Sequence, residues 1–334
     1  MSVRPILSPP LDQTLAAARL EHGRSVLNIE SAAIAAMAAE LDDSFAEAVG
    51  LLLSLRGRIV VTGMGKSGHV ARKIAATLAS TGTPALFVHP AEAAHGDLGM
   101  VIKGDALIML SNSGGTTELV PILYHASSLG LPIIAISSKV DSTLMKAATI
   151  GLLLPEAEEA CPDNIVPTTS TTMMLALGDA LAMATMRERG VSRDGFERLH
   201  PGGMIGLRLM RVATVMHKDK ALPLVLGNTP MRDVVLTMTE RSFGVAGVVD
   251  TEGHLVGVIT DGDLRRHVDQ LMTSQAAEVM THNPLTIGAG AFAEDALTVM
   301  NKHKITSLFV TERLGDRTPI GLVHVHDFLR FGLT

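Results

Sequence analysis

The run RIVVTGMGKSGH, residues 58–69, restricts the possible folds of this chain more than any other stretch. An apolar strand at 59–62 breaks into Gly63, Gly65 and Gly68 and then into an alanine-rich helical pattern at 67–80. A strand that ends in a glycine turn and a helix start makes an anion site. The first helical N–H groups lack intrahelical partners, and the helix dipole favours negative charge. The arrangement returns downstream, where strand 106–110 empties into Ser111-Asn112-Ser113-Gly114-Gly115-Thr116-Thr117-Glu118. Hydroxyls and backbone donors again gather where a strand hands over to a helix. Two such turns on neighbouring parallel strands face one crevice at the carboxyl edge of a sheet, where doubly wound folds bind ligands. A sugar phosphate fits that crevice.

Two other phosphate readings fail on spacing. In a Walker loop ending at Gly65-Lys66-Ser67 the first glycine would fall at Val60. A dinucleotide fingerprint wants an acidic residue about 20 positions on, at the end of the second strand, and that strand (85–88) ends in His89-Pro90.

With 334 residues, 47% of them apolar, the chain is long enough for two or three cores. The net charge of -6 and the lack of a basic run give no electrostatic footprint for nucleic acid. One cysteine, Cys161, rules out an intrachain disulfide and a thiolate zinc cluster and suits a reducing compartment. The start, MSVRPILSPP, has prolines where a signal helix would lie, and no apolar run reaches about 18 residues, the length that would mark a membrane span. A cytoplasmic protein with no nucleic-acid or membrane partner is expected. Aromatic residues are scarce, with no Trp and one Tyr, so a sugar ligand would be held by charge and hydrogen bonds rather than by an aromatic face.

Residues 11–55 read as helices, with Leu15, Ala18, Val26, Ile29 and Ile34 at three- and four-residue steps, packing on the sheet or on another subunit. Strands then alternate with helices: strands at 59–62, 85–88, 106–110, 132–136 and 150–154, helices at 67–80, 116–129 and 141–148, and a long helix at 171–189. Near-continuous apolar strands predict a parallel five-stranded sheet covered by helices on both faces, a three-layer α/β/α fold of Rossmann type. After His200-Pro201-Gly202-Gly203 a repeat begins. Val215-Met216 recurs as Val279-Met280, Gly257 as Gly321 and Asp263 as Asp327, at one constant offset. Each copy reads strand, helix, strand, turn, strand and an Asp-led helix, and halves this short should pack as one pseudo-symmetric unit. The expected division is 1–210 and 211–334, the latter split into 211–274 and 275–334.

GMGKSGH at 63–69, FVHPAEAAHGDLGM at 87–100, EEACP at 158–162, PTTSTT at 167–172 and HPGG at 200–203 carry a resemblance. The first part resembles a sugar isomerase (SIS) domain and the repeat a tandem pair of cystathionine-β-synthase (CBS) modules, an order similar to that of D-arabinose-5-phosphate isomerases. Where many relatives have SNSGE, this chain has Ser111-Asn112-Ser113-Gly114-Gly115. The resemblance implies interconversion of ribulose 5-phosphate and arabinose 5-phosphate through an enediolate, on the route to Kdo and lipopolysaccharide, with neither metal nor redox cofactor. It also implies a homotetramer with shared active sites.

Such a reaction requires a base for the C2 proton, a group that moves protons between O1 and O2, and a polariser for the carbonyl. By resemblance, Ser67, Ser111, Ser113 and Thr116, with the Gly65 turn, hold the phosphate, and a Thr169-Ser170 loop approaches the sugar. Lys66 supplies fixed positive charge. His95, Glu159 and His200 are the candidate proton carriers, and Glu118 orients Lys66 or a hydroxyl. Spacing leaves the C2 base open among the three carriers. In the repeat, Thr260 and Asp263 form the Thr-x-x-Asp that in CBS modules holds a ribose. Asp327 is its counterpart, with His324 in place of the threonine, so at most one good nucleotide site of that kind is expected. Each residue also has a plainer reading: a first-turn lysine or glutamate, turn-stabilising serines, an acidic surface run at 156–159, or a dimerisation wedge that binds nothing. Two other functions share the phosphate cradle, a different phosphosugar isomerase and a non-catalytic sugar-phosphate sensor.

Overall fold

The computed structural model describes residues 13–200 and 202–330. The MSVRPILSPP segment and Pro201 of the HPGG run lie outside them. The chain parts between Leu199 and His200 into two compact units.

The first unit begins with helices α1 (Gln13–Ala39) and α2 (Asp43–Ser54). Its sheet contains β1 (Ile59–Gly63), β2 (Ala85–Phe87), β3 (Ala106–Leu110), β4 (Ile133–Ser137) and β5 (Ile150–Leu153). All pairings are parallel, in the order β2-β1-β3-β4-β5. Between them run α3 (Gly65–Ser80), α4 (Pro90–Ala94), α5 (Val120–Ser128) and α6 (Thr143–Ala147), and α7 (Thr169–Glu188) and α8 (Arg193–Leu199) follow. Successive strand side chains point to opposite faces, and the two cores follow that alternation. Ile59, Val61, Ile108 and Leu110 pack with Ile74, Leu78 and Leu177 under α3 and α7. Val60, Leu107 and Met109 pack with Leu119 and Ile122 under α5. Both-face burial is what the unbroken apolar strands demand. Gly178 lets α7 lie close on α3, because a Cβ there would stand 2.3 Å from Ile74 Cδ1.

The elements depart from the sequence reading in detail. The helix expected at 116–129 opens as a 3-10 turn, Thr117–Leu119, and becomes α-helical only where Pro121 occupies the first turn, a position that needs no N–H. In α1 only Ala33 and Met37 are buried, while Leu15, Leu20 and Leu27 stay exposed.

The second unit contains α9 (Gly203–Leu209), α10 (Val212–Val215), β6 (Leu224–Leu226), α11 (Met231–Arg241), β7 (Val245–Val249), β8 (Leu255–Thr260) and α12 (Asp261–Arg266). The second copy supplies α13 (Ala276–Val279), β9 (Thr281–His282), β10 (Thr286–Gly288), α14 (Ala293–His303), β11 (Ser307–Thr311), β12 (Pro319–His324) and α15 (Val325–Leu329). β6 pairs parallel with β7 and β7 antiparallel with β8; β10, β11 and β12 repeat that pattern. The copies exchange backbone reciprocally. β9 pairs with β8, and His217 bridges to Leu322 of β12. The glycines that mark the repeat receive the methionines that mark it: a Cβ on Gly321 would meet Met216 Sδ at 2.4 Å, and one on Gly257 would meet Met280 Sδ at 2.4 Å. In the second copy the last helix is led by Val325, and Asp327 stands at its third position.

Candidate active site

β1 and β3 are neighbours, and β2 lies on the other side of β1, so the connections diverge between the two strands. The predicted anion turns therefore sit at the switch point of the sheet. In the first turn, Gly65 has φ of 59°. A Cβ on Gly68 would come within 2.5 Å of Gly63 O, so helix and strand approach too closely for any side chain. No side chain caps α3, so its opening N–H groups face outward beside the exposed Lys66 and half-buried Ser67.

In the second turn the Ser111 hydroxyl is buried and shares a 2.7 Å hydrogen bond with Thr116 Oγ1. Ser113 Oγ accepts from Gly115 N at 3.3 Å. Gly114 has φ of 61° and faces Ser142, with 2.0 Å from its ideal Cβ to Ser142 Oγ. Glu118 is exposed and accepts from Thr117 Oγ1 at 3.0 Å. The hydroxyls brace the turn on one another, and their remaining lone pairs and protons can serve a ligand.

A cavity of about 500 Å³ opens along the carboxyl ends of β4 and β5. Among the expected residues Glu159 and Ser170 line it, together with Asn112, Ser138, Lys139 and Asn164, which the sequence reading did not single out. Asn112 O accepts from Ser138 N at 3.2 Å, and Ser138 Oγ donates to Asn112 Oδ1 at 2.6 Å, tying the β3 turn to the β4 turn. Ser138-Lys139 follows a predicted strand at the same sheet edge, and that position was the available signal.

Glu159 caps α7 from outside the helix. Its Oε2 accepts from Thr168 N at 2.6 Å, Thr168 Oγ1 at 3.1 Å and Ser170 N at 3.2 Å, and its Oε1 accepts from Ser170 Oγ. Burial pushes the carboxyl up, but these hydrogen bonds outweigh it and hold the group below the ordinary glutamate range. Cys161 Sγ accepts from Ile165 N and Val166 N at 3.0 and 3.1 Å and shapes the loop that carries Glu159. The Thr169-Ser170 loop is corrected to a helix start. Both residues open α7, where the Glu159 carboxylate holds Ser170 and the preceding Thr168, and the Thr169 hydroxyl is buried without a partner among the described residues. His95 is exposed at the C-terminal end of α4, beside Gly96 with φ of 140°. His200 opens the second unit.

In the second unit a cleft of about 740 Å³ is lined by both copies, among others by Thr260, Asp261 and Arg265 of the first and Lys304, His324 and His326 of the second. Of the expected ribose ligands Thr260 alone lines it. Asp263 turns inward, accepting from Thr260 N at 2.8 Å and Thr260 Oγ1 at 2.6 Å and pairing with Arg266. Asp327 accepts from His324 N at 2.8 Å and pairs with His217 Nε2 at 2.9 Å. Thr-x-x-Asp closes a capping box here, the other structure its spacing allows. Burial, followed by the neighbouring His326, lowers the His324 pKa; Asp327 opposes this.

No helix of the described residues is long and apolar enough to cross a membrane, and no cluster of three His, Cys, Asp or Glu among them could hold a metal ion.

Comparison with known proteins agrees with this architecture. The SIS domain matches residues 52–184 and the CBS domain matches 212–270 and 276–333. The arabinose 5-phosphate isomerase KdsD of Pseudomonas aeruginosa is 44% identical over 318 residues, 94% of this chain and 97% of that protein. The arabinose 5-phosphate isomerase KpsF of Escherichia coli is 43% identical over 309 residues, 91% of this chain and 93% of that protein. Among solved structures, an Escherichia coli CFT073 protein in complex with A5P matches with a TM-score of 0.54 at 36% identity, covering 57% of this chain and all of that one. A putative sugar-phosphate isomerase from Listeria monocytogenes matches with a TM-score of 0.54 at 29% identity, covering 56% of this chain and 98% of that one. With near-full-length relatives at this identity and a SIS domain followed by two CBS domains, the chain belongs to the arabinose 5-phosphate isomerase family.

Proposed function

We propose that this chain interconverts D-ribulose 5-phosphate and D-arabinose 5-phosphate through an enediolate, supplying the aldose phosphate for Kdo and lipopolysaccharide synthesis in the cytoplasm. The observation that carries the reading is the pair of anion turns at the switch point, with a polar cavity opening along the same sheet edge. The N-terminus of α3 and Ser67, Ser111, Ser113 and Thr116 take the phosphate. Lys66 balances the charge that develops on the enediolate, and Glu118 orients it or a hydroxyl. His95, Glu159 and His200 are the proton-carrying set. Within that set Glu159 also accepts four hydrogen bonds from Thr168 and Ser170, which hold its carboxyl below the ordinary glutamate range.

The apolar residues that α1 leaves exposed support assembly into a homotetramer, in which His200 enters a neighbour's site. Mixing Lys66→Ala and His200→Ala proteins should then restore activity after subunit exchange. The cleft between the CBS copies suits a nucleotide or nucleotide-sugar effector, with Arg265 and Lys304 to meet its phosphate. Turnover of ribulose 5-phosphate measured against arabinose, ribose and xylulose 5-phosphates tests the function. Preferential formation of ribose or xylulose 5-phosphate would reject it.

A further inference from the structure

The two copies of the second unit line its cleft unequally. Where the first copy places Thr260 and Gly262, the second places His324 and His326. The two rings lie with their centroids 4.8 Å apart, tilted by 36°. His326 N donates to His324 Nδ1 at 3.2 Å, so in the neutral ring of His324 the proton sits on Nε2. His324 is half-buried and His326 is exposed.

The charged groups around this pair come from four segments. α12 brings Asp261 and Arg265, and the C-cap of α14 brings Lys304, all three lining the cleft. α15 brings Asp327, and the stretch between α10 and β6 brings His217. Asp327 is already engaged, accepting from His324 N at 2.8 Å and pairing with His217 Nε2 at 2.9 Å. The cleft itself thus carries two fixed cations and two imidazoles against one carboxylate. Alone, the pair resists a proton: burial first, then His326, and last His217 lower the His324 pKa, with only Asp327 opposing. An anion between the rings and the two cations reverses that balance, since an opposite charge at contact range favours a protonated ring by about tenfold or more. Rings this close repel a second proton, so they titrate together and take up one.

We propose that a phosphate-bearing ligand enters this cleft together with one proton, taken up from solvent by the His324–His326 pair, so that effector binding strengthens as pH falls. The proposal rests on the effector reading of the cleft and adds the proton to it. Affinity is greatest below the pKa of the free pair. It falls by about tenfold per pH unit above that value and levels off above the pKa of the ligand-bound pair. The ligand runs the other way, because a phosphate monoester gains its second charge above about pH 6. Weaker binding at higher pH therefore has its source in the protein.

The test titrates AMP into the full-length protein by calorimetry from about pH 6.5 to about pH 8.5, the range in which a ligand-bound histidine loses its proton. An Arg265→Ala/Lys304→Asn protein, altered at two exposed positions, is run in parallel to subtract binding anywhere else. Binding to the cleft should weaken by about tenfold across the range, and heats in buffers of different ionisation enthalpy should show proton uptake near neutral pH. His326→Gln, and His324→Asn, which keeps an acceptor at the start of α15, should each halve the uptake or more and flatten the profile to within threefold. Wild-type affinity constant within threefold and without uptake would overturn the proposal and leave the effector reading standing. An unchanged profile in both histidine variants would do the same. If neither AMP nor sulfate binds the wild type beyond the Arg265→Ala/Lys304→Asn protein at any pH, both readings fail. Should the histidine variants not fold, the difference in proton uptake between those two proteins decides.

Discussion

Replacing Glu159 by alanine removes the acceptor for two backbone N–H groups and two hydroxyls at the start of α7, the helix that closes one face of the sheet. Losing a side-chain cap costs about 1–2 kcal/mol, and leaving the Ser170 hydroxyl unmet adds about 1 kcal/mol. For a unit of this size the sum, about 2–3 kcal/mol, corresponds to a fall in melting temperature of roughly 5–10 °C. Glu159→Gln keeps one acceptor and should lose about half as much. The pH dependence separates charge from shape. The carboxyl lies below its ordinary range in the folded protein, so its extra stability is present above the unfolded-state value and is lost as pH falls through the folded value. Melting curves of wild type and Glu159→Gln should thus differ at neutral pH and converge in acid. Equal melting temperatures at neutral pH for wild type and Glu159→Ala would refute the capping role, and a constant gap down to acid pH would refute the role of charge.

Ser111→Ala and Ser113→Ala should each raise KM, by the equivalent of about 1–3 kcal/mol, in steady-state assays of ribulose 5-phosphate; unchanged KM in both would place the phosphate elsewhere. Asp105→Asn should destabilise the protein by about 2–4 kcal/mol in urea titrations, because the buried carboxylate accepts from Arg58 N, Arg58 Nη2 and Ile102 N at 3.0 to 3.1 Å. Burial raises the Asp105 pKa, but these bonds and the Arg58 charge hold it below the ordinary range, so this contribution too should vanish as pH falls through the folded value. Gly257→Ala places a methyl within 3.0 Å of Met280 Cβ and should cost about 1–3 kcal/mol by overpacking; adding Met280→Ala should recover part of it, as read by thermal melting.

The sheet was legible because its determinants are local. Each strand of β1, β3 and β4 is apolar on both faces, and Gly63, Gly65 and Gly68 mark a turn that larger residues cannot make. The two strand-to-helix turns followed from the same patterns. What escaped depends on contacts distant in sequence. Asn112 and Ser138 are separated by a whole helix and meet because β3 and β4 pair. Glu159 was singled out as a candidate proton carrier, but its role as a cap shows only once α7 starts beneath it. Thr169 and Ser170 look like a polar loop because the donors that make them a helix start are satisfied from nine to eleven residues upstream. Thr260-Asp261-Gly262-Asp263 was ambiguous for another reason, since a ribose clamp and a capping box share one spacing.

The reciprocal pairing of β9 with β8 and of His217 with Leu322 bears on how the second unit arose. Each copy completes its sheet with backbone from the other, and each glycine notch is filled by the other copy's methionine. A lone copy with this geometry would carry an open sheet edge and an empty notch, and would close both only by pairing with a second molecule of itself. This geometry is what the fusion of a preformed dimer by gene duplication would leave.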